Sequence, residues 1–173
     1  MSNKEGRQDK KEQFVTQQKS SNTVKTFGLL GVLIVAAVAG WLFLGQGPTD
    51  GFASVKSENG FINLDLTEIQ DGSAHYFKYS TNKGDIKFFV VKSVDGVMRA
   101  AFDACDVCYR DKKGYSQQGD FMVCNNCGQQ FRTDLVNEVK GGCNPAPLAR
   151  SVQGSKLIIA QADILRGGWY FGI

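Results

Sequence analysis

CDVCYRDKKGYSQQGDFMVCNNCGQQFRTDLVNEVKGGC, residues 105–143, holds every cysteine of the 173-residue chain. Two Cys-x2-Cys pairs, Cys105/Cys108 and Cys124/Cys127, are separated by fifteen residues, inside the spacing window of a tetrathiolate metal site. Each pair places two thiolates on one tight turn, and Gly128 frees the backbone after the second pair to fold around a metal. Zinc and an iron–sulfur cluster both take four Cys thiolates, so spacing leaves the choice between them open. Two disulfides with one free thiol form a competing reading, but a Cys105–Cys108 bridge closes a loop too short to stabilise much. A redox-active dithiol is another, and it lacks the following helix whose N-terminus lowers a thiol pKa. Metal binding by Cys105, Cys108, Cys124 and Cys127 is the reading the residues favour.

Cys143 falls outside the twin pattern, between Gly141-Gly142 and Asn144-Pro145. It reads as an additional ligand, as a thiol beside the ligands that tunes them, or as a small buried residue. The expectation is that it lies near the metal, in a turn stiffened by Pro145 and Pro147, without being required for binding.

Upstream, residues 27–44, FGLLGVLIVAAVAGWLFL, carry no charge. As a helix they are about 27 Å long, enough for a thin bilayer. A signal peptide cut after Ala37-Val38-Ala39 competes, but the preceding polar region is long and the apolar run continues through Trp41 to Leu44. One uncleaved transmembrane helix is therefore expected. Residues 1–26 carry six Lys/Arg against three acids among Gln, Ser and Asn, a composition that buries no core. That basic excess predicts a cytoplasmic N-terminus and an outward-facing domain. Trp41 fits an interfacial anchor, and Ala36-xxx-Gly40 is a small-xxx-small pattern through which the helix could form a homo-oligomer.

The chain thus divides into a disordered basic cytoplasmic tail (1–26), a transmembrane helix (27–44), a linker (45–51) and an extracytoplasmic Cys-rich domain (52–173). The +3 net charge resides in the tail, so the outer domain has no electrostatic footprint for nucleic acid. Strands are expected at 61–66, 75–79, 86–92, 97–103, 121–123, 130–133 and 157–160, with turns at Asp71-Gly72, Lys83-Gly84 and Asp95-Gly96. Asp95-Gly96 is the best hairpin signal. No long amphipathic helix appears beyond the membrane span, so the domain should be mainly β, with long loops carrying the cysteines.

The layout resembles a Rieske iron–sulfur domain, a small β-sandwich whose two tip loops each supply a ligand pair under a Pro-rich turn. The comparable pieces are the hairpin at Asp95-Gly96, the two Cys pairs, the turn GGCNPAPL (141–148) and the strand at 157–160. Cys108 and Cys127 stand where each Rieske pair has His, which implies a lower reduction potential. The runs AHYFKY (74–79), IKFFVVK (86–92), AFDACDVCY (101–109), KGY (113–115), MVCNNCG (122–128) and GGCNPAPL are similar to the FtrD-like family of membrane iron–sulfur proteins. That resemblance implies a bacterial or archaeal cytoplasmic-membrane protein linked to iron transport and passing electrons. Its expected partners are an iron permease or a membrane redox protein.

His75, the sole histidine, reads as packing or a surface hydrogen bond, and Met98 and Met122 as core. Asp103, Asp106 and Asp120 read as acceptors for loop amides, with no partner base in sequence for acid–base work. No P-loop, dinucleotide fingerprint or nucleophile elbow is present, so a redox carrier or binding protein is favoured over a catalyst. Two functions remain: an anchored iron–sulfur electron carrier, or a zinc-stapled module that docks a membrane partner.

Overall fold

The run IKFFVVK places four apolar residues, Phe88 to Val91, in succession, the pattern of a strand buried on both faces rather than on one. In the computed structural model, which describes residues 50–173, all four side chains are fully buried. The expected tail (1–26) and transmembrane helix (27–44), and nearly all of the linker (45–51), lie outside the described residues. Among the described residues no helix is long and apolar enough to cross a membrane.

The domain is mainly β, in three small sheets. The first has the order β1 (Ala53–Val55), β3 (His75–Thr81), β4 (Gly84–Lys92), β5 (Met98–Phe102), with β1 parallel to β3 and the other pairs antiparallel. The second has the order β2 (Phe61–Asp65), β10 (Lys156–Ala160), β9 (Ser151–Gln153). The third, which carries the second Cys pair, has the order β6 (Tyr115–Gln118), β7 (Phe121–Cys124), β8 (Gln130–Arg132). A six-residue helix α1 (Gln161–Arg166) buries Ile164 and ends at Gly167.

Seven strands fall at the expected places, and the Lys83-Gly84 and Asp95-Gly96 turns close the β3–β4 and β4–β5 hairpins. At the latter, Gly96 takes φ +84°, which favours glycine, and Ser93 N–H donates to Val97 O at 2.9 Å. Three short strands, β1, β6 and β9, were not expected: each has three or four residues and an edge place in its sheet, too little for an alternation to register.

Alternation along β4 divides the interior in two. Ile86, Phe88 and Val90 join Ile62, Leu157 and Ile159 in one core; Phe89 and Val91 join Ala101, Met122, Phe131 and the buried cysteines in the other. The first core is closed by β2 on β10, an antiparallel pair in register Ile62↔Ile159 and Leu64↔Leu157. Inward Ile62 and Leu64 alternate with outward Phe61, Asn63 and Asp65 on that strand. The second core is the floor of the cysteine site.

Arg99, 4% exposed, links the β4–β5 hairpin to Val136 and Glu138. Its guanidinium donates to Ser93 Oγ (3.0 Å), Val136 O (3.1 Å), Glu138 Oε1 (2.6 Å) and Asp95 Oδ2 (2.6 Å). A buried cation is tolerated because carboxylates and acceptors surround it in this way.

Candidate metal centre

Three loops converge at one end of the second core. The first leaves β5 at Phe102, buries Cys105, and turns through Asp106–Val107 so that Cys108 N–H donates to Cys105 Sγ at 3.1 Å. The second begins where β7 ends, at Cys124. Gly128 at φ +76° lets the chain reverse, with Gly128 N–H donating to Cys124 O at 2.8 Å and Cys124 N–H donating to Gln129 O at 2.9 Å.

The loops are stitched to each other by the two residues between Cys124 and Cys127. Asn125 donates through its backbone N–H to Gly114 O (3.0 Å) and through Nδ2 to Lys113 O (3.0 Å). Asn126 Nδ2 donates to Asp111 Oδ2 at 2.7 Å.

The third loop carries Cys143. It is pinned along β5, where Phe102 N–H donates to Ala146 O (2.8 Å), Ala146 N–H donates to Ala104 O (2.9 Å), and Pro147 forms a bridge with Ala101. The Tyr115 hydroxyl donates to Cys143 O at 2.6 Å, fixing the turn over the β6–β7 hairpin.

All five thiols are brought together in two overlapping trios. The sulfurs of Cys105, Cys108 and Cys124 lie within 4.8 Å of one another, as do those of Cys108, Cys127 and Cys143. Cys108 is common to both, and its Sγ is 3.7 Å from Cys143 Sγ. Cys105 and Cys124 are buried, Cys108 and Cys143 half-buried, and Cys127 exposed. Each pair therefore sends its first thiol inward and its second outward.

The donor set decides what fits. Five sulfurs without an imidazole or carboxylate in either trio suit soft thiolate binding, as an iron–sulfur cluster or as zinc. Burial pushes the Cys124 thiol up to about 11, against opposing amides of Cys127 and Asn126. Burial also raises the Cys143 thiol, with Cys108 and Cys127 beside it adding to the effect. The Gln129 N–H holds Cys127 below the usual thiol range. Burial thus favours the neutral thiols of Cys124 and Cys143, and a bound metal cation would supply the charge that stabilises their thiolates.

A cavity of about 270 Å3 opens on the inner trio and is lined by Cys105, Cys108, Cys124, Lys87, Asp103 and Tyr109 among others. Burial pushes the Asp103 carboxyl up to about 6, and its Oδ1 accepts the Tyr115 N–H at 2.7 Å, as expected of a loop-amide acceptor. Asp106 instead accepts the Tyr170 hydroxyl at 2.6 Å, which ties the first loop to the C-terminal turn. His75 pairs with Asp71 at 2.8 Å, and Met98 and Met122 are core, all as expected.

Tyr115, Tyr170 and Arg99 are the supporting residues that sequence reading passed over. Their roles depend on partners 28, 64 and 39 positions away, and no spacing rule reaches that far.

Residues 69–171, more than half of the chain, match the family model described as membrane iron-sulfur containing protein FtrD-like. Among solved structures, the quaternary ammonium Rieske monooxygenase CntA bound to an inhibitor is similar at 13% identity and TM-score 0.40. That match covers 66% of this chain and 33% of the monooxygenase chain, so this chain spans about a third of the other's length. No curated protein matches.

Proposed function

The chain belongs to the FtrD-like family of membrane iron–sulfur containing proteins, and we propose that Cys105, Cys108, Cys124 and Cys127 hold an iron–sulfur cluster with which it carries electrons. The observation that supports this reading is the convergence of two overlapping thiol trios on one buried floor. A thiolate-bound cluster supplies one-electron exchange. The chain's residues provide the surroundings for it: Phe89, Tyr115, Met122 and Phe131 pack a dry floor, while exposed Cys127 marks the side nearest a partner. With thiolates at every ligand position, the potential falls below that of a His-ligated Rieske centre.

In the same reading, the basic tail and apolar span place the N-terminus in the cytoplasm of a bacterial or archaeal cell and the domain outside its membrane. The electrons serve iron transport, through an iron permease or a membrane redox protein. The test is metal and sulfide analysis of the full chain purified anaerobically in detergent, with visible and paramagnetic resonance spectra. Iron with acid-labile sulfide and a signal in one redox state are expected. Stoichiometric zinc in a colourless protein would overturn the carrier reading in favour of a zinc-stapled docking module. Because all the cysteines lie in the domain, a membrane-impermeant thiol reagent applied outside metal-depleted cells should label it; labelling only from the cytoplasmic side would overturn the orientation.

A further inference from the structure

The proposed ligand set uses four sulfurs, yet five thiols occupy the cluster, and the fifth is not placed evenly with respect to the rest. The trio that includes Cys143 also includes Cys127, with Cys108 shared, whereas Cys105 and Cys124 lie on the buried side. Two thiolates on one tetrahedral metal, at bonds of about 2.3 Å, stand about 3.8 Å apart. The 3.7 Å between Cys108 Sγ and Cys143 Sγ therefore already matches ligand spacing. Cys143 is held there by backbone pairing of its loop with β5 and by the Tyr115 hydroxyl, independently of the turn that carries Cys127.

Resting on the reading that these thiols hold a cluster or metal, we propose that Cys127 and Cys143 are interchangeable ligands for one outer position beside Cys108. Cys105, Cys108 and Cys124 are the fixed ligands. The exchange balances: the bond to Cys127 sulfur breaks as the bond to Cys143 sulfur forms, and the proton leaving the Cys143 thiol is taken up by the departing Cys127 thiolate. Cys127 is exposed and Cys143 half-buried, their sulfurs within 4.8 Å of each other, so the outer position has an exchangeable edge at the protein surface. A soft metal ion, or the thiolate of a partner, would find one coordination place there without dismantling the inner trio.

The test begins with the unmutated full chain, loaded anaerobically, and so does not depend on a variant folding. Brief iodoacetamide treatment and peptide mass spectrometry should find one thiol modified per chain, distributed between Cys127 and Cys143. Cys127→Ser and Cys143→Ser should each keep the parent's metal-to-protein ratio with a displaced absorption spectrum, and the double variant should lose the metal. Modification of Cys143 alone in the parent, with metal loss in Cys127→Ser, would overturn the exchange and leave a fixed four-thiol site. Full metal retention by the double variant would overturn it as well. Full retention by Cys124→Ser would instead bring down the metal-site reading itself, and the exchange with it.

Discussion

Phe88 and Phe89 are neighbours in sequence, both fully buried, and belong to different cores. Phe88 stacks on Phe77 with ring centroids 5.5 Å apart, in the core closed by β2 and β10. Phe89 meets Tyr76 at 6.0 Å and Tyr115 at 6.2 Å, in the core that floors the thiols. One strand therefore joins the core closed by β2 and β10 to the core that floors the thiols.

Truncating either ring should be costly, but with different reach. Phe88→Ala and Phe89→Ala should each destabilise the domain by about 3–5 kcal/mol, the usual cost of removing a buried aromatic. The milder Phe89→Leu should weaken metal retention, while Phe88→Leu should leave it unchanged. Denaturant unfolding and metal titration of the four variants check this; equal metal loss from both Leu variants would contradict the division into two cores.

Tyr115→Phe keeps the ring among Phe89 and Phe131 and removes only the hydroxyl that donates to Cys143 O. The bond is part-buried, so its loss costs about 0.5–1.5 kcal/mol. The variant should lose stability in that range and show faster alkylation of Cys143 in the metal-free protein. Unchanged alkylation kinetics would show that β5 pairing alone fixes the loop.

Gly167 leaves no room for a side chain, since a Cβ there would stand 2.1 Å from the Phe102 ring. Phe102 in turn packs on Tyr170, whose hydroxyl holds Asp106 between the first pair of cysteines. Gly167→Ala should thus cost about 1–3 kcal/mol by overpacking. Thermal unfolding is the measurement, and Phe102→Leu in the same chain should recover part of the loss.

The Asp95 carboxyl is held at about 2, first by the Ser93 hydroxyl and then by Arg99. Its folded value lies below the ordinary 3.8, so its contribution to stability is present above about pH 4 and disappears as pH falls towards 2. Asp95→Asn should lower the melting temperature at pH 7 by leaving buried Arg99 with one carboxylate fewer. It should also flatten the acid limb between pH 4 and pH 2, which melting curves across that range would reveal.

The sequence by itself determined the parts of this protein that are local. Fifteen residues between two Cys-x2-Cys pairs announced a thiolate site, the apolar run at 86–92 announced strand β4, and Asp95-Gly96 announced its hairpin. These signals are legible because turn chemistry and side-chain alternation act over a few residues. The tertiary structure decided the rest. Cys143 lies outside the spacing motif and reaches Cys108 only because its loop pairs with β5; β2 and β10, at opposite ends of the domain, meet only because each needs the other to bury Ile62, Leu64, Leu157 and Ile159. Arg99 became a buried ion-pair hub for the same reason, as its partners at 95 and 138 come from different segments. Which thiols face inward and which lie at the surface is set by long-range backbone pairing, whose energy depends on contacts between segments that no local pattern encodes.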